Sequence, residues 1–261
     1  MNGLVRAGAL PLLALALALA GAAWLQPAAG AAMDAVLAPP DGVHWLGTDD
    51  LGRDVLRRLA AAAAPTIGIG LAVSGAGVAL ALSLALAGLA WPAADAGALR
   101  LADLFNALPS TLIFIVVASA MRPGVPALIA MLAAFGWDAE FRALRLRLRQ
   151  VWRQESLDAA RLAGASGAYL LRRHAWPALA GLLAVQAVAL VRRAVFHYAG
   201  LAFLGLADPR LPTWGGMLNE AMPYLADGAA RAWILSAWSC LATLLVALAL
   251  LGQGLDRRAR C

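Results

Sequence analysis

Lysine is absent from this chain, and all 21 basic residues are arginine. That excludes a phosphate-binding loop ending in Gly-Lys-Ser or Gly-Lys-Thr, and equally any Schiff-base lysine. If the protein's work consumes ATP, another chain must hydrolyse it. Cysteine is almost as scarce: Cys240 inside an apolar run and Cys261 at the C-terminus have neither the number nor the spacing of a metal site or a disulfide framework. No HExxH, GxSxG or paired-carboxylate pattern falls within an apolar run, which argues against a membrane-embedded enzyme. Charge makes up only 14% of the chain against 62% apolar residues, with a mean hydropathy of +0.75. This lies outside the balance of a soluble domain, so the expected solvent is lipid. The net charge of +6 then faces an anionic cytoplasmic leaflet rather than nucleic acid.

What is present is a series of long uncharged runs. A helix needs about 20 mainly apolar residues to cross a hydrocarbon layer roughly 30 Å thick. Ala7 to Leu25, Thr66 to Ala90, Leu104 to Met121, Pro177 to Phe203 and Ala232 to Leu255 meet or approach that length. Gly124 to Trp137 is shorter, carries Pro126 and is expected to borrow residues from the segment after it. The first run imitates a secretory signal, with Arg6 ahead of it and "PAAGAAM" behind, but it is long for one and reads as a retained anchor. The expectation is an all-α integral membrane protein of about six transmembrane helices, forming one transmembrane domain over residues 1–261. With both termini in the cytoplasm, thirteen arginines fall inside and six outside, which sets the orientation. The segments 26–65 and 204–231 are then external, and 139–176 is a cytoplasmic helical loop.

That loop begins with an amphipathic pattern. Phe141, Leu144, Leu148, Val151 and Trp152 share one helical face, and Arg142, Arg145, Arg149 and Arg153 another. An interfacial helix with arginines on lipid phosphates is one reading of this part. Downstream, Asp158-Ala159-Ala160, Gly164 and Pro177 describe a helix, a glycine-permitted turn and a second short helix leading into the next span. This spacing resembles the loop of permease subunits in binding-protein-dependent ABC importers, Glu-Ala-Ala, three residues, Gly, nine residues, Ile-x-Leu-Pro. Asp158, His174 and Trp176 stand where that pattern has Glu, Ile and Leu. "HWLGTDDLGRD" and "FLGLADPRLPTWGGMLNEA" are similar to motifs of the class that serves dipeptide, oligopeptide and nickel importers, so the resemblance covers nearly the whole chain.

The resemblance implies a permease in the bacterial cytoplasmic membrane with no cofactor of its own. Its implied partners are a second permease subunit, cytoplasmic ATPase subunits and an extracytoplasmic substrate-binding protein. Asp158, Ala159, Ala160, Arg161, Gly164 and Pro177 would meet the ATPase. Gly47, Thr48, Asp49, Gly52, Arg53, Asp54, Trp214 and Gly215 would belong to the external face where the binding protein docks. The residues themselves suggest that Thr48 caps a short helix with Asp49 and Asp50 in its first turn and Val55, Leu56 and Leu59 on its apolar face. A metal site on the three aspartates is disfavoured, because calcium-loop spacing is missing and Arg53 competes for the carboxylates. Arg192, Arg193 and His197 stand well inside an apolar run. They either line a path and favour an anionic cargo or snorkel to the outer headgroups. An autonomous channel is the remaining rival, and in a channel the long loop has no evident purpose.

Overall fold

The computed structural model describes residues 2–25, 35–226, 228 and 230–260. Apolar composition becomes helix throughout: α1 (Asn2–Leu25), α2 (Val55–Ala90), α3 (Pro92–Ala107), α4 (Ser110–Met121), α5 (Val125–Gly136) and α6 (Asp138–Trp152) are followed by α7 (Glu155–Leu162) and α8 (Gly167–Leu170). A π-helical turn over Leu171–Ala175 leads into α9 (Trp176–Phe203), and α10 (Trp214–Ala221) and α11 (Arg231–Arg260) complete the chain. Among the described residues, the only β pairing is an isolated bridge between Thr48 and Asp54.

Among the described residues, three helices are long and apolar enough to cross a membrane: Val55–Ala90, Gly167–Phe203 and Arg231–Arg258. α3 and α4 are apolar enough only together, and they meet at a bend of 80°. This corrects the straight span expected over Leu104–Met121, because Pro109 supplies no backbone donor and keeps Leu108 extended (ψ 134°). The other two expected spans fall on the shorter apolar helices Val5–Leu19 and Val125–Gly136. Residue 137 alone separates α5 from α6. The short run is thus extended by α6.

Helix α2 has 36 residues and, at about 1.5 Å per residue, runs well past a 30 Å layer. Its far end, with the start of α9, carries a core that includes Ala81, Ala85, Phe141, Leu144, Leu148, Val151, Leu157 and Leu179. The apolar face of α6 is therefore buried in protein, which corrects the reading of α6 as a lipid-facing interfacial helix. Two of its arginines clamp α3, since Arg145 Nη2 and Arg149 Nη2 lie 2.6 and 2.7 Å from Asp95 Oδ2. At the opposite end, Val55, Leu59, Trp214, Met217 and Trp233 form a second core. α1 packs chiefly on α11. A Cβ on Gly8 would lie 2.6 Å from Leu251 N, so the start of α1 meets the last third of α11 and both termini share one end of the bundle.

Candidate functional site: a mid-bilayer cavity and a projecting hairpin

A cavity of about 390 Å³ opens where α3 breaks into α4. Irregular backbone at membrane depth is tolerated where it lines such a space, since water there can satisfy the exposed peptide groups. Phe105, Asn106, Pro109 and Ser110 come from the break, Phe135 and Asp138 from α5 and α6, and Arg193 and His197 from α9. Edge-to-face contacts tie the aromatic residues together, Phe105 to Phe135 at 4.7 Å and Phe114 to His197 at 5.2 Å between centroids. Arg193 stands ten residues before the end of α9. That is roughly 15 Å, or half of the hydrocarbon thickness.

Two carboxylates at the start of α6 face this region, one paired to α9 and one to α3. Glu140, with its side chain 0% exposed, accepts a hydrogen bond from the Arg193 guanidinium. Asp138 Oδ2 accepts from Asn106 Nδ2 at 2.7 Å, and that amide also donates to the Ala102 carbonyl at 3.2 Å. Arg193 and His197 therefore stand at the cavity, whereas Arg192 lies on the exposed side of α9 and is not among its lining residues. The arginine pair, left open between lining a path and reaching the headgroups, divides here: Arg193 lines the cavity with its charge matched by Glu140, and Arg192 does not line it. The sequence reading missed Asn106, Asp138 and Glu140. The signal available was two carboxylates, two residues apart, directly after an apolar run.

The second feature is a hairpin at the far end of the bundle. Glu155 and Asp158 in the first turn of α7 suit the helix dipole, and Ser166 caps α8 by accepting from Tyr169 N at 3.3 Å. Between them Gly164 takes a left-handed conformation (φ +86°) with nothing near where a Cβ would be. Arg161 pairs with Asp158 at 2.5 Å, donates to the Trp152 carbonyl at 3.2 Å and lies 5.2 Å from the Trp152 ring centroid. These two side chains brace the hairpin on α6. Leu157 is buried beneath it, while Leu162 at its tip is 90% exposed. Ala159 is exposed and Ala160 half-buried. Pro177 is the second residue of α9, but the helical rod starts ten residues earlier at Gly167. The rod passes the proline through the π-helical turn, where Trp176 N–H bonds to the Leu171 carbonyl. The wider turn relieves the clash that a proline ring makes with the carbonyl four residues back.

At the other end, the stretch from His44 to Leu59 folds onto itself. Asp49, 0% exposed, accepts from Leu51 N and Arg53 N at 2.9 and 2.8 Å, and from Arg53 Nε and Arg58 Nη1 at 2.7 Å each. Arg58 Nη2 continues to Glu220 of α10 at 2.6 Å. Burial, then the neighbouring Asp49 charge, pushes the Asp50 carboxyl up. The expected helix start is corrected. Thr48 Oγ1 donates to the Ala35 carbonyl and accepts from Ala38 N, while Asp54 caps α2 by accepting from Arg57 N at 2.9 Å. Asp54 Oδ2 also contacts His44 Nδ1 at 2.8 Å. Asp49, three residues from a further turn at Gly52, spends its acceptors on that loop and is unavailable to a first helical turn.

Close approach at the expected docking glycines is internal too. A Cβ on Gly47 would lie 2.4 Å from the Ala38 carbonyl, and one on Gly215 2.5 Å from the Ala199 carbonyl. Trp214 is buried, its Nε1 donating to the Leu59 carbonyl at 2.9 Å. Gly52 has positive φ (+71°). Of the expected docking set, Arg53 is left on the surface.

Comparison with known proteins adds an independent finding. Residues 77–260 match the family described as binding-protein-dependent transport system inner membrane component. The chain is 33% identical over 184 residues to a Brucella suis protein whose name describes a peptide permease, covering 70% of this chain and 61% of that one. It is 32% identical over 192 residues to the nickel transport system permease protein NikC of Escherichia coli, covering 72% and 69%. With the dipeptide transport system permease protein DppC of Bacillus subtilis it shares 29% over 193 residues, covering 73% and 60%. The chain thus spans about three fifths of the length of these peptide-permease relatives.

Proposed function

Because the chain belongs to the binding-protein-dependent transport system inner membrane components, we propose that it is the permease subunit of an ABC importer whose ATP hydrolysis takes place on separate cytoplasmic subunits. The cargo class is small peptides, nickel or metal chelates, in keeping with the names of its relatives. The observation that carries the reading is the α7–α8 hairpin, braced on α6, continuous with α9 and exposed at Leu162 and Gly164. A hairpin fixed to two long helices passes a rigid-body movement into the bilayer, where a slack loop would absorb it. Asp158, Ala159, Ala160, Arg161 and Gly164 thus divide the work: Asp158 and Arg161 hold the hairpin, and the tip meets the ATPase.

A second permease subunit completes the path. Arg192 is exposed about eleven residues, or roughly 16 Å, from the end of α9. A guanidinium at that depth costs roughly 2.5–3.5 kcal/mol on insertion scales, so a polar protein face covers it better than lipid does. The face bearing Arg53 receives the binding protein, and both termini are cytoplasmic. Co-expression with the cognate ATPase subunits tests the proposal. The wild-type chain should retain them through solubilisation, and Gly164→Leu, still inserted, should lose both the ATPase and uptake. Full retention and full uptake by that variant would refute a coupling role for the hairpin.

A further inference from the structure

The charge around the cavity can be counted. Glu140 neutralises Arg193, and His197 carries no charge in the formal count at pH 7. Asp138 then remains, with the uncharged Asn106 amide as the hydrogen-bond partner of its Oδ2. The amino end of α6 contributes about half a positive charge. That is too little to cancel a whole carboxylate. The wall is electronegative at a depth where lipid on the far side weakens screening, so the field acts over the width of the space.

We propose that the wall formed by Asn106, Asp138 and the Glu140–Arg193 pair receives a cationic group of the cargo, such as a protonated amine or a metal cation, and disfavours an anionic one. The assignment rests on the cavity being part of the transport route. Asp138 supplies the attraction, and Asn106 orients it. Glu140 acts through Arg193: by holding the guanidinium it prevents the cavity from presenting a positive charge. Asp138 is thus the specificity-determining residue, and Glu140 a positioning residue.

The test reads the cavity's own field and needs neither cargo nor ATPase. In a background of Cys240→Ala and Cys261→Ser, the lining residue Ser110 is changed to Cys in the full-length chain in membranes. The thiol is then exposed to a cationic trimethylammonium-ethyl methanethiosulfonate and to its anionic sulfonatoethyl analogue. Each rate is divided by that for free 2-mercaptoethanol. The cationic reagent should be favoured by at least roughly tenfold, and both Asp138→Asn and Glu140→Gln should reduce that preference by a similar factor. Gel filtration confirms that the variants stay folded, and the conservative Asp138→Glu should restore the preference. A ratio near or below one, a ratio indifferent to both variants, or no reaction with either reagent would overturn the proposal. If the electrostatic result holds while ATP-driven uptake is absent, the importer reading fails separately from the charge assignment.

Discussion

A single methyl group decides whether α10 can lie on α9. Gly215 faces the backbone of Ala199, and the Cβ of any other residue would meet the carbonyl oxygen at 2.5 Å and the Cα at 2.8 Å. Backbone cannot rotate away as a side chain can, so Gly215→Ala should cost about 1–3 kcal/mol, the range for overpacking. A lowered Tm of the detergent-solubilised protein is the expected readout, and an unchanged Tm would mean that α10 shifts freely. Gly164 gives the contrasting case. Its positive φ strains any other residue by about 1–2 kcal/mol, yet no side chain lies near it. A Gly164 variant should therefore lower Tm only by that backbone strain, with no packing loss added, while losing the ATPase, and a fall in Tm well beyond that of Gly215→Ala would move Gly164 from a contact role to a folding role.

Among the elements, the loop before α2 is the one most dependent on charge. Asp49 is buried and shared by Arg53 and Arg58, and Arg58 links it to Glu220. Removing Asp49 takes away the buried carboxylate that both arginines and the Leu51 and Arg53 amides share, and leaves Arg58 with Glu220 alone. Asp49→Ala should therefore open residues 35–54 to protease, whereas Asp50→Asn should not, because burial and the Asp49 charge already oppose ionised Asp50. Equal cleavage of the two variants would count against Asp49 as the anchor. The same loop shows where sequence reading falters. Thr48 and Asp54 are both good cap residues, and the choice between them depends on which acceptors Asp49 has already committed to the turn at Gly52. The break at Leu108–Pro109 had a local signal that went unread, since a proline disfavours helix at the preceding residue. The joining of Glu140 to Arg193 was not, because 53 residues separate them and no local pattern records such a distance. Helix periodicity, in contrast, is local, which is why the apolar segments and the α7–turn–α8 hairpin could be read directly.

For the molecule as a whole, the arrangement of helices leaves orientation as the main quantity to measure. Gly8 beside Leu251 places both termini at one end, and the proposed orientation, which rests on the arginine bias, puts that end in the cytoplasm. Reporter fusions at Gly42 should read external, and those at Gly167 and Arg260 cytoplasmic. The further reporter position Asp227, expected external, lies outside the described residues. An external signal at Gly167 would invert the bundle and remove the basis for docking an ATPase there. The wide turn over Leu171–Ala175 gives this rod a screw-like degree of freedom. It closes a bond over five residues instead of four, so it stores one residue more than an α-helical turn needs. Absorbing that residue would wind everything before it by about 100° around the axis and shift it about 1.5 Å along. The hairpin would then swing its tip through a wide arc while the membrane part of α9 stayed in place. Deleting one residue from Leu171–Ala175 should lock the wound form, and paired spin labels at Ser166 and Ala180 should report one fixed separation.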